Sequence, residues 1–176
     1  MPLLKTVKPE EAQGVVKEVY DAVMAVAKTV PKPLQMGSLS PELLKMQHQL
    51  VNYYMAHPTL SLPLLAHIRY CVACQRGFDY CENFNGNMLN MFMQVSEEQL
   101  EAIKNDPYAA ALEDKEKALL AFVVKAVKEP ESTTQADVDN LRGLAWTDQD
   151  IYEAMFQGLN MVSGGIAFKA LKMDEE

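Results

Sequence analysis

The sequence is poor in cysteine and tryptophan, has no run of basic residues, and has no apolar stretch approaching the length of a membrane span. Each shortage excludes something. The three cysteines all fall between Cys71 and Cys81, a clustering unlike a disulfide framework. The 16 Lys and Arg are scattered through a chain of formal net charge −8, so no basic patch is available for nucleic acid or for an anionic membrane surface. The N-terminal stretch MPLLKTVKPEEAQ has no long apolar segment after its first charges, so it does not read as a signal peptide. The expected location is the cytoplasm.

What is present fits a helical protein. The 176 residues suit one domain, expected to span residues 1–176, with a core that needs neither disulfide nor metal. Eleven methionines are many for this length; Met fills irregular gaps between helices and lines adaptable contact surfaces. Helix punctuation recurs along the chain and strand punctuation is nearly absent. Pro9-Glu10-Glu11 opens a pattern to about Lys28, with Val15, Val16, Val19, Val23 and Val26 near a 3.6-residue period. Pro31-Lys32-Pro33 predicts a loop.

Ser40-Pro41-Glu42 predicts a helix to about Ala56, and Pro63 begins another that continues to Gly77. Asp79 starts a helix through Met91. Ser96 with Gln99 forms a capping box. Further helices are expected from Glu113 or Asp114 to Lys128, from Thr134 to about Leu144, and from Thr147 to about Leu171. The fold class is all-α, a bundle of roughly eight helices. The last helix holds Gly158, Gly164 and Gly165, each unfavourable in a helix interior by about 1 kcal/mol relative to Ala. Close approach of another helix backbone is the expected compensation, with a kink at Gly164-Gly165 as the alternative.

Chemistry concentrates between His67 and Asn85. On a helix, His67, Cys71 and Cys74 share one face. Three readings follow. Two thiols and an imidazole resemble part of a zinc site, but no second ligand pair follows Cys81, and His48 and His57 are the other histidines. A redox pair is the second: Cys71 and Cys74 would lie about 5–6 Å apart at Cβ, too far for an unstrained disulfide. Cys74 and Cys81 meet only if Gly77 breaks the helix. The third is that Cys71 and Cys74 are simply small buried apolar groups.

The stretch Gly77-Phe78-Asp79-Tyr80-Cys81-Glu82-Asn83-Phe84-Asn85 resembles the Gly-Cys-x-Tyr-Cys-x-x-x-His motif of the carboxymuconolactone decarboxylase family, which includes the alkyl hydroperoxidase D-like proteins. Flanking pieces agree in order: Ser40-Pro-Glu-Leu-Leu, Leu62-Pro63-Leu64-Leu65, Val95 to Leu100, Glu116 to Phe122, and Trp146 to Ile151. The resemblance implies an alkyl hydroperoxidase D-like helical bundle. It also implies a homo-oligomer, a trimer or hexamer perhaps built from dimers, and antioxidant chemistry on a small-molecule hydroperoxide with no cofactor and no metal. In such members the second cysteine attacks the peroxide, the first resolves it as a disulfide, and the histidine and an upstream glutamate relay protons.

This chain departs from that pattern at three of four positions. Phe78 stands at the first cysteine, Asn85 at the histidine and Ala66 at the glutamate; Cys81 is kept, with the common Tyr80 before it. A compensated site would use Cys74 as resolving thiol and His67 as base. The expected readings are therefore a degenerate thiol oxidoreductase retaining Cys81, a non-catalytic binding or assembly protein on the same fold, and a lyase on a small carboxylate held by Arg69 or Arg76.

Overall fold

A computed structural model describes residues 1–175. Among these residues there are nine α-helices, three single 3₁₀ turns and no strand, as the all-α expectation requires. None of the helices is long and apolar enough to cross a membrane. Contacts group the chain into two compact units. One holds residues 1–56 and the chain from Ile166 onward; the other runs from His57 to Gly165.

The first unit contains α1 (Gly14–Ala27), α2 (Lys32–Gly37) and α3 (Pro41–Met55). The helix expected from Pro9 starts later, because Gln13 is extended and Gly14 has φ +53°, which separates a 3₁₀ turn at Pro9–Glu11 from α1. The expected loop at Pro31–Pro33 is instead the start of α2. Pro31 occupies its N-cap and Pro33 lies in its first turn, where a fixed φ is an advantage. Pro41 opens α3 as expected, although the Ser40 side chain makes no capping bond. Ala12, Val16, Val19, Tyr20, Val30, Leu34 and Leu44 form the core of this unit. The Tyr20 hydroxyl donates to the Val7 carbonyl at 2.9 Å, and the Val7 N–H donates to Ser38 Oγ at 2.9 Å, tying the N-terminal strap down.

The second unit is built round α4 (Leu62–Arg76). Nine consecutive-face positions from Leu64 to Ala73, Arg69 excepted, are buried. A helix that is apolar on all sides must be surrounded, and α5 (Asp79–Met93), α6 (Glu97–Asn105) and α7 (Asp114–Lys128) pack against it. α8 (Gln135–Gly143) lies on α7, and α9 (Asp148–Ala170) belongs to this unit as far as Gly165. The Ser96–Gln99 capping box forms in both directions, at 3.2 and 2.9 Å. Equivalent boxes at Glu113–Glu116 and Thr134–Asp137 start α7 and α8.

The segment before α4 is fastened by a histidine the sequence did not single out. His57 Nδ1 accepts from the Leu60 N–H at 2.9 Å, so Nε2 carries the proton and donates to Glu153 of α9 at 2.7 Å. Thr59 donates to Asp150, which also closes the first turn of α9 by accepting from Thr147.

The glycines of α9 admit side chains rather than a helix backbone. A Cβ on Gly158 would lie 2.8 Å from Val123 Cγ1, with Val127 and Val72 close behind. A Cβ on Gly165 would overlap the ring of Phe78, whereas Gly164 is exposed and has nothing nearby. Adjacent glycines therefore have opposite consequences. Gly164→Ala is expected to stabilise by about 0.5–1 kcal/mol through helix propensity. Gly165→Ala is expected to destabilise by about 1–3 kcal/mol through overpacking, and Phe78→Ala in the same chain should remove that penalty. Urea unfolding of the four variants measures the set.

Candidate active site

The site lies where α4 hands over to α5. Gly77 takes the left-handed conformation, φ +62° and ψ 43°, and the Phe78 N–H donates back to the Ala73 carbonyl at 3.0 Å. This closes a Schellman turn, which glycine permits without a Cβ penalty. The helix break foreseen at Gly77 is thus present. Asp79 is the first residue of α5 and Phe78 its N-cap.

Cys81 sits in the first turn of α5 and is buried. It shares an apolar cluster with Ala73 and Phe78, against which Tyr80 and Met161 pack. The first turn of a helix favours a thiolate, but burial pushes the Cys81 thiol up, and no cation contributes to its titration. Phe78, at the position of the first motif cysteine, seats its ring on Gly165. Tyr80 stacks on Phe84, with ring centroids 6.2 Å apart.

Asn85, at the motif histidine, is buried and fully engaged. Its Nδ2 donates to the Cys81 carbonyl at 2.8 Å, and its Oδ1 accepts from Arg69 Nε at 3.1 Å. Arg69 is half-buried, and desolvation lowers its guanidinium from the ordinary range to about 10. No acidic side chain pairs with it among the described residues. Ala66, at the motif glutamate, is buried and supplies no proton-transfer group. Arg76 is exposed.

The other sequence candidates point to different surroundings. Cys71 is buried, which raises its thiol far above the ordinary range. Burial, followed by the negative charge of Glu82, pushes Cys74 up to about 11. Cys74 lies among Tyr70, Glu82 and Lys104, the last two bridged at 2.6 Å, while Cys81 lies in the Phe78 cluster. All three cysteines are free thiols. His67 is buried; its Nδ1 meets the Pro63 carbonyl at 2.8 Å, and its Nε2 has no partner among the described residues. Burial lowers its pKa, opposed by the Pro63 bond and by the charge of Glu116. Glu116 was missed by the sequence reading. It is buried and accepts from Ser61 Oγ at 2.5 Å, and its signal was a second glutamate three residues into a capped helix. Among the described residues, no group of three His, Cys, Asp or Glu is placed to hold a metal ion.

No protein-family model matches this chain, and no curated protein does. Solved structures do. An uncharacterized peroxidase-related protein from Silicibacter sp. TM1040 superposes with a TM-score of 0.79 at 18% identity, covering 98% of this chain and 87% of that one. An alkylhydroperoxidase AhpD core, an uncharacterized peroxidase-related protein from Ralstonia eutropha JMP134, gives a TM-score of 0.80 at 15% identity, covering 98% and 90%. The chain therefore has the alkyl hydroperoxidase D-like fold.

Among the described residues, no acid or base side chain is hydrogen-bonded to the Cys81 thiol. His67, neutral and desolvated, gives a pH signature of its own. Because its folded pKa is depressed, its contribution to stability is complete above about pH 6.5 and is lost as pH falls through the lower folded value. Unfolding free energies measured from pH 7 to pH 4.5 should fall by up to about 1.4 kcal/mol per pH unit more steeply in the parent than in a His67→Gln variant. Parallel curves would show that His67 is not held neutral.

Proposed function

We propose that this chain is a peroxidase-related protein of the alkyl hydroperoxidase D-like type whose two-cysteine site is degenerate, and that it works by binding rather than by peroxide turnover. One observation carries the reading: the thiol at the kept motif position, Cys81, is raised by burial among Ala73, Phe78 and Met161, and among the described residues no acid, base or cation is hydrogen-bonded to it. Peroxide attack needs a thiolate near neutral pH. Asn85 cannot exchange a proton there, and its amide is committed to Arg69 and Cys81.

The second reading is a single-cysteine thiol oxidoreductase, favoured by the break at Gly77 and by Cys81 lying in the first turn of α5. Reaction of Cys81 with a hydroperoxide would give a sulfenic acid and an alcohol, and Cys74 would then have to close a disulfide with release of water. A lyase reading has Arg69 for a carboxylate but no acid/base group beside it. A homo-oligomer, with a trimer or hexamer implied by the resemblance, is supported by exposed Tyr152, Phe156 and Leu159 along one face of α9.

The pH dependence of Cys81 alkylation by iodoacetamide, read by mass spectrometry, separates the two main readings. The expected apparent pKa is above the ordinary thiol value of about 8.5, and Cys81→Ser should leave consumption of tert-butyl hydroperoxide unchanged. An apparent pKa near or below about 7, or a Cys74–Cys81 disulfide after peroxide treatment, would overturn the binding reading.

A further inference from the structure

The seam between α4 and α5 carries two successive layers. In one, Ala73 of α4 shares an apolar cluster with Cys81 of α5. One helical turn along, Arg69 of α4 meets Asn85 of α5. The first layer is filled and apolar. The second holds a cation whose one bonded nitrogen is Nε; its two terminal nitrogens have no hydrogen-bond partner, and no carboxylate lies within ion-pairing distance, among the described residues. A guanidinium withdrawn from water is costly unless paired and hydrogen-bonded. Other cations of this unit, whose side chains reach further into solvent, nevertheless have carboxylate partners: Lys104 pairs with Glu82, Lys125 with Asp137, and Arg142 with Asp148. Arg69 stands apart from them in being half-buried with no counter-charge.

We propose that Arg69, positioned by Asn85, is the binding group for the carboxylate of a small-molecule monocarboxylate. The Nε–Asn85 bond fixes the plane of the guanidinium, and the free terminal nitrogens present the parallel donors that a planar carboxylate accepts. One unpaired cation matches one negative charge. A phosphate dianion would bring a second charge into a chain whose net charge is already −8. Asn85 acts as a positioning residue: its own amide is spent on the Cys81 carbonyl, so its effect on the ligand passes through Arg69. The inference names a ligand class for the binding function proposed above and rests on that reading. Its test reads arginine rather than cysteine, so the two can fail separately.

The test is chemical protection of the intact chain. Phenylglyoxal modifies arginines, and peptide mass spectrometry follows Arg69 and the exposed Arg76 in one sample. Sodium propionate at about 50 mM is expected to slow modification of Arg69 about six-fold, the protection given by a weak site with a Kd of about 10 mM, and to leave Arg76 unchanged. Propionamide, with the same heavy-atom skeleton and no charge, should protect neither. In Asn85→Ala, Arg69 should still react while its protection by propionate falls toward that of Arg76. An Arg69 rate unaffected by propionate overturns the proposal, as does equal protection by the neutral amide. Protection by inorganic phosphate but not by propionate overturns the carboxylate assignment, and an Arg69 that phenylglyoxal does not modify, being already paired or closed off, overturns the proposal as well.

Discussion

Burial of α4 is the constraint on which the rest of the second unit depends. A helix with Leu64, Ile68 and Val72 wholly inaccessible needs neighbours on several sides, and it carries inward whatever polar groups its sequence contains. His67, Arg69, Tyr70, Cys71 and Cys74 are all on this helix. Desolvation is the leading cause of every titration shift found on it: downward for His67 and Arg69, upward for Tyr70 and the two cysteines. Each shift favours the neutral form. The same environment that gives the unit its core thus works against thiolate formation, and a catalytic cysteine here would need a strong local cation or base to overcome it.

Phe78 and Gly165 show how the departure from the dithiol motif is built into packing. A phenyl ring buries far more surface than a thiol, and at the start of α5 it needs a place to go. The absence of a Cβ at Gly165 supplies that place. The two residues, far apart in sequence, are complementary halves of one contact, and the ring closes over the same cluster that encloses Cys81. Phe78 therefore has a structural partner, and a cysteine placed at that position alone would leave a void over Gly165.

Much of the fold was legible because local chemistry and global packing agree. Ser96-Glu97-Glu98-Gln99 and Thr134 to Asp137 form the reciprocal caps their spacing promised, and Gly77 breaks the helix where the motif needs it. What failed was local in a different way. Prolines at 31 and 33 were read as helix stoppers, yet proline in a first turn is a helix starter, and the pair opens α2. The valine period of α1 could not show that Gly14 lies at positive φ. For the site, identities were legible and environments were not. A shared helix face suggested that His67 and Cys74 act together. Neighbours from other elements divide them, Glu116 of α7 beside one and Glu82 of α5 beside the other. Arg69 was visible as a cation, but its lack of an acidic partner is a property of three dimensions.

Asn85, where the resemblance would put a histidine, does more than lack a base. An imidazole at that position would have to compete with the nearby guanidinium, because two cationic groups in one desolvated layer repel strongly. Asparagine resolves the conflict. Its carbonyl accepts from Arg69 and its amide donates to Cys81, so it satisfies both neighbours without carrying charge. An arginine so held keeps its orientation and its charge, since even the lowered value of about 10 leaves it protonated at neutral pH. The layer that in a redox site would move protons is here a fixed, singly charged donor array. Such an array is suited to holding an anion and unsuited to activating a thiol, because its charge stays in place and no group in it exchanges a proton.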